Sequence, residues 1–179
     1  MPHGRHRTLQ DIQSFIRKKR THGLRAKLRR DLQKLRIVKE ADVECAAYHH
    51  LRRYIGEDPK WRVFARKHVK LTGHYIDLLI FKHKCPVIAL ELKWGQVDIG
   101  KKDRKSLYTA LTKLKVQKAY WLSLVCSDKE KNPFVKKCNE RNVLHPIVVR
   151  LDLEGDKRYK YMQRRKFFKS KMTVGRGHK

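Results

Sequence analysis

Two apolar runs rich in β-branched and aromatic residues, 73–81 and 87–94, flank the short polar connection His83-Lys84-Cys85-Pro86 and predict a strand hairpin. Helical periodicity precedes them. Leu9, Ile12, Phe15 and Ile16 share one side of a short amphipathic helix over 8–19. A helical pattern then restarts at Leu24 and predicts a second helix, with room for a bend, over 24–55. In its later half Ile37, Ala41, Glu44, Tyr48, Leu51 and Ile55 recur at spacings of three and four, one stripe facing a core. Gly56-Glu57-Asp58-Pro59 ends that helix. Residues 61–69 alternate as a first strand, with Val63, Ala65 and Lys67 on one side and Arg62, Phe64 and Arg66 on the other, before Leu71-Thr72-Gly73 turns the chain into the hairpin. Beyond the hairpin the pattern predicts a helix over 101–115 with Leu107, Leu111 and Leu114 inward, a strand covered on both faces over 119–126, a modest helix over 132–141 and a last strand over 145–151. Residues 1–8 read as disordered, those from 157 onward carry no turn or strand pattern, and there is no internal repeat.

Charge inside the hairpin changes this picture, because a plain core strand carries none. Side chains alternate along a strand, so Glu91 and Lys93 point to one face while Leu90 and Leu92 point to the other. A hairpin folded about Lys84 sets Asp77 opposite Glu91 and Tyr75 opposite Lys93. Facing positions bring Cβ atoms to about 4.5–5.5 Å, and like charges there repel unless a cation lies between them. Oxygen donors with room for water and phosphate suit Mg²⁺ or Mn²⁺ better than zinc. A lysine on the same face would orient or deprotonate an attacking water, or stabilise charge developing on phosphorus. Glu44 sits in an apolar helical stripe, where an unpaired carboxylate costs several kcal/mol to bury. It either lies at the stripe's edge paired with a lysine or arginine, or reaches toward the metal, and Glu40 one turn earlier is its substitute. The plainer alternatives for the others are a strand-end Asp77 satisfied by an arginine and a surface Lys93 that snorkels.

Asp77 on one strand followed by Glu91-Leu92-Lys93 on the next resembles the PD-(D/E)xK nuclease superfamily, whose fold is restriction-endonuclease-like. The resemblance spans residues 37–126 and rests on a combination: helical glutamate, strand with aspartate, strand ending in Glu-x-Lys, crossover helix, apolar strand. It implies an α/β core of order αβββαβ, with a central mixed sheet of about four to five strands flanked by helices. It also implies that Asp77, Glu91 and the backbone carbonyl of Leu92 ligate Mg²⁺ or Mn²⁺ with support from Glu44, and that Glu44, Asp77, Glu91 and Lys93 form the catalytic set. The Gln-x-x-x-Tyr motif of the exonuclease-like branch is absent, since Arg104 stands four residues before Tyr108. Small resolvase-like or defence endonucleases are the nearest in kind, and homodimers are common among them.

Composition adds a partner. The 179 residues carry a formal net charge of +29, enough chain for one domain and a bias toward a polyanion. Residues 1–36 hold 12 Lys and Arg against 2 Asp and Glu, and 156–179 hold 10 against 1, leaving +10 on 37–155. Charge thus divides the chain into a basic, partly helical N-terminal arm, a nuclease-like core and a basic C-terminal tail. Lys101, Lys102, Arg104 and Lys105 open the crossover helix and either contact phosphates or form a solvated face; His74 and Gln96 are further candidates for nucleic-acid contact. Cys45, Cys85, Cys126 and Cys138 lack metal-binding spacing and read as buried reduced thiols. No apolar run reaches the roughly 18 residues of a membrane span. The expectation is a metal-dependent nuclease acting on duplex or branched DNA, with DNA favoured over RNA, in the cytoplasm or on the nucleoid; an Arg-rich amino end leaves organellar targeting open. The alternatives are a catalytically inactive nucleic-acid-binding protein of the same fold, and a nuclease subunit of a larger recombination, transposition or defence complex.

Overall fold

The computed structural model describes residues 7–18, 22–69, 74–95, 99–125 and 144–150. In chain order the elements are α1 (Leu9–Arg17), α2 (Leu24–Gln33), α3 (Glu40–Ile55), β1 (Trp61–Val69), β2 (His74–Lys82), β3 (Cys85–Trp94), α4 (Lys101–Thr112), β4 (Lys118–Val125) and β5 (Leu144–Arg150). The architecture is α/β. Among the described residues the strands form a mixed sheet in the order β1-β2-β3-β4-β5, antiparallel from β1 to β3 and parallel from β3 to β5.

Local chemistry sets the helix limits. Thr8 caps α1 through a reciprocal capping box with Asp11, its hydroxyl accepting from the Asp11 N–H. The single long helix expected over 24–55 is two. Leu35 takes a left-handed φ of 55°, and the chain leaves α2 and re-enters at α3. Gly23, before α2, lies so close to the Lys18 backbone that a Cβ would clash. The predicted helix over 132–141 falls outside the described residues.

Helices cover both faces of the sheet. On one face Ile12, Phe15 and Ile16 of α1, Leu24, Leu28 and Leu32 of α2, and Val43, Ala47 and Leu51 of α3 pack with Leu78, Ile80, Leu90, Leu92 and Leu122. On the other, Leu107 and Ala110 of α4 pack with Leu79, Ala89, Ala119 and Trp121. Charge and packing therefore divide the chain differently: the basic first 36 residues put their apolar side into the main core. Cys45 and Cys85 are exposed rather than buried, because Cys45 falls one position off the α3 stripe and Cys85 begins β3 beside the hairpin turn. Cys126 and Cys138 lie outside the described residues.

The hairpin register decides where the carboxylates meet. Leu78 faces Leu90, Leu79 faces Ala89 and Ile80 faces Ile88, as expected for a hairpin folded about Lys84. Beyond Ile80 the register shifts, so that Lys82 faces Cys85 across His83-Lys84, and His83 adopts a φ of 56°. In the other direction the antiparallel ladder stops at Leu78–Leu90, one position short of Asp77 and Glu91. From there β2 stays with β1, while β3 runs on beside β4 through Trp94.

Candidate active site at the parting of β2 and β3

Where β2 and β3 separate, Asp77 takes the place of a ladder bond: the Leu92 N–H donates to Asp77 Oδ2 at 2.7 Å. That bond turns the Asp77 carboxyl toward β3, where it meets the side chain of Glu91. Glu91 is 4% exposed and accepts from the Ser106 hydroxyl of α4 at 2.9 Å. Two residues on, Lys93 joins the two helical layers, with Nζ 3.1 Å from Glu40 Oε1 of α3 and 3.7 Å from Asp103 Oδ1 of α4.

Glu44 meets a different partner. Arg66 Nε and Nη2 donate to its two carboxylate oxygens at 2.6 and 3.0 Å. Strand alternation sets Arg66 on the side opposite Val63, and Val63 packs in the same core as α3. Its φ of 45° breaks the alternation and delivers the guanidinium to Glu44. The flanking pairs Ala65–Leu78 and Lys67–Ile76 place Arg66 beside Asp77. The arginine partner considered for Glu44 is thus present, and Glu44 also lies in the site.

All these groups line one cavity of about 520 Å³: Glu40 and Glu44 from α3, Arg66 from β1, Tyr75 and Asp77 from β2, Glu91 and Lys93 from β3, and Lys102, Asp103 and Ser106 from α4. Burial, reinforced by the Asp77 charge, pushes the Glu91 carboxyl up to about 9. Burial also raises Asp77, against the opposing pull of the Leu92 N–H. Burial and mutual repulsion thus favour one proton shared between the pair. Burial works against the Lys93 ammonium, but Glu40, Asp103 and Asp77 outweigh it and raise its pKa. Lys93 is thus held as a cation between the acids of α3 and α4.

The expected catalytic side chains Glu44, Asp77, Glu91 and Lys93 come together. Leu92 contributes its N–H to Asp77. Of the expected nucleic-acid contacts, Lys102 lines the cavity, whereas Lys101, Arg104 and Lys105 are exposed on α4 outside its lining. His74 is placed as the first residue of β2, its side chain lying outside the described set, as does Gln96 altogether. Arg66, Tyr75, Asp103 and Ser106 were missed as site residues. A signal existed for two of them, because Asp103 and Ser106 continue the inward face of Leu107 and Ala110 at helical spacing.

A pair of adjoining carboxylates whose repulsion a shared proton relieves is a donor set that a hard divalent cation fits in the proton's place. Glu44 is held back from it by Arg66, and among the described residues no three His, Cys, Asp or Glu side chains gather as a metal-holding group. The set that fits is thus Asp77 and Glu91, with water and substrate oxygens left to complete the shell. No protein-family model matches the chain, and no curated protein matches it in sequence.

Proposed function

We propose that this chain is a Mg²⁺- or Mn²⁺-dependent nuclease of PD-(D/E)xK type that hydrolyses phosphodiester bonds in DNA. One observation carries the reading: the buried, proton-sharing pair Asp77–Glu91 opens into a cavity that also holds a fixed ammonium and further acids from two helices. The order α3-β1-β2-β3-α4-β4 supports it, as does the parting of the strands at the Glu-x-Lys segment.

Asp77 and Glu91 would hold the cation, which when bound supplies Lewis-acid activation of water and phosphate. The Leu92 N–H fixes the Asp77 carboxylate and the Ser106 hydroxyl that of Glu91. Lys93, braced between Glu40 and Asp103, places a positive charge where negative charge develops on phosphorus. Glu44, with both oxygens on Arg66, orients that arginine at the cavity wall. The net charge of +29 supplies sequence-independent affinity for the polyanion.

The test is supercoiled plasmid, branched DNA and structured RNA incubated with Mg²⁺, Mn²⁺ or EDTA. Metal-dependent products from DNA are expected. Asp77→Ala should lower cleavage by about a hundredfold or more while DNA retardation stays near wild type. Unchanged cleavage by that variant refutes the site.

A second reading is favoured by the ion pairs themselves. Glu44–Arg66 and Lys93–Glu40 are complete without any ligand, as they would be in a nucleic-acid-binding protein that performs no chemistry. Retardation of DNA with no metal-dependent product from any substrate would select it.

A further inference from the structure

The cavity has two zones of opposite character. Its floor is acidic and closed, with Glu91 4%, Glu44 7% and Ser106 3% exposed. Its rim is open and consists of Arg66, Tyr75 and Lys102, with the Tyr75 residue 63% and the Arg66 side chain 65% exposed. Arg66 spends Nε and Nη2 on Glu44, which leaves its other N–H groups directed outward. Lys102 adds a second cation from the first turn of α4. Tyr75, two residues along β2 from Asp77, brings an exposed aromatic ring to the same cavity wall as these two cations.

We propose that this rim is a subsite for an unstacked nucleotide: Arg66 and Lys102 take the phosphates on either side, and the base lies on the Tyr75 ring. The proposal rests on the reading of the cavity as a nucleic-acid site and names its substrate class. In a matched duplex both faces of every base are covered by neighbours, so an exposed ring meets only sugar and phosphate. In a single strand, gap or bulge a base face is free, and stacking on an aromatic side chain adds sequence-tolerant affinity. The strand so held would run past Asp77 with an unpaired base next to the phosphate over the acidic floor.

The experiment uses the full chain in EDTA, so that no cleavage intervenes, at a salt concentration high enough to suppress contacts made by charge alone. Fluorescence anisotropy compares a matched DNA duplex with the same duplex carrying a central bulge. A 2-aminopurine in the bulge reports stacking through quenching. The bulged duplex should bind on the order of tenfold tighter than the matched one, with quenching. Tyr75→Ala should abolish both the preference and the quenching, and Tyr75→Phe should keep both, because the ring rather than the hydroxyl is used. Equal binding of the two duplexes by the wild type, or a preference that survives Tyr75→Ala, overturns the proposal. Preference with quenching in a protein that cleaves nothing upholds it while the nuclease reading falls, so the two failures are distinct.

Discussion

At the scale of single residues the site turns on where one proton sits. A glutamate carboxyl has an ordinary value near 4.5, and burial beside Asp77 pushes Glu91 up to about 9 in the fold. Between those values the folded protein binds more protons than the unfolded one, so stability falls as pH rises across the window. It is fully present below about 4.5 and lost as pH passes through 9. Glu91→Gln keeps the shape and removes the charge. Without divalent metal it should melt with wild type near pH 4 and above it at pH 8.5, by at least about 3 °C for a chain of this length. On the proposed metal site, Mg²⁺ at pH 8.5 should raise the melting temperature of wild type and not of the variant, the cation taking the proton's place. A variant that melts below wild type throughout would show that Glu91 is ionised and paired. The convergence of Asp77, Glu91 and Lys93 was legible in the sequence because it needs only strand alternation and a hairpin register. The engagement of Glu44 by Arg66 was not, since it depends on a left-handed residue inside β1 that no glycine or asparagine announces.

Elements were most legible where a pattern is short and bounded by turn residues. The nine residues of β1 end where the alternation ends, and the hairpin register follows from its two apolar runs. The break between α2 and α3 was hidden because Lys34, Leu35 and Arg36 continue a helical pattern without proline or glycine, and the turn comes instead from the positive φ of Leu35. The end of α3 shows the opposite case, a stop that the sequence does mark. Gly56 follows the helix at φ 71° and ψ −149°, a region open essentially to glycine alone. A Cβ there would meet nothing within 4 Å, so any cost of Gly56→Ala is backbone strain. Urea denaturation should show that variant less stable by about 1–3 kcal/mol with an unchanged m-value. Because Glu44 is three turns away along α3, its cleavage of plasmid at low temperature should match wild type.

Across the whole molecule, apolar packing and charge follow different maps. The first 36 residues carry 12 cationic side chains, yet their apolar stripe lies in the same core as β3, so they cannot be removed without opening it. Residues 156–179 carry 10 cationic side chains against a single acid. Affinity from phosphate neutralisation should therefore be separable from the site by deleting that segment alone. Each phosphate contact contributes about 0.9 to the slope of log K against log salt. If half of those cations rest on phosphates in the complex, a variant ending at residue 155 should lose about 4 to 5 from the slope measured with duplex DNA, and should bind much more weakly at physiological salt. The deletion removes none of the described residues that line the cavity from α3, β1, β2, β3 and α4. Single-turnover cleavage with saturating protein at low salt should then proceed at the full-length rate, while cleavage at limiting protein falls with occupancy. A tail whose loss lowered the saturated rate as well would have to reach the acidic floor itself, and affinity and chemistry would no longer be separable in this chain.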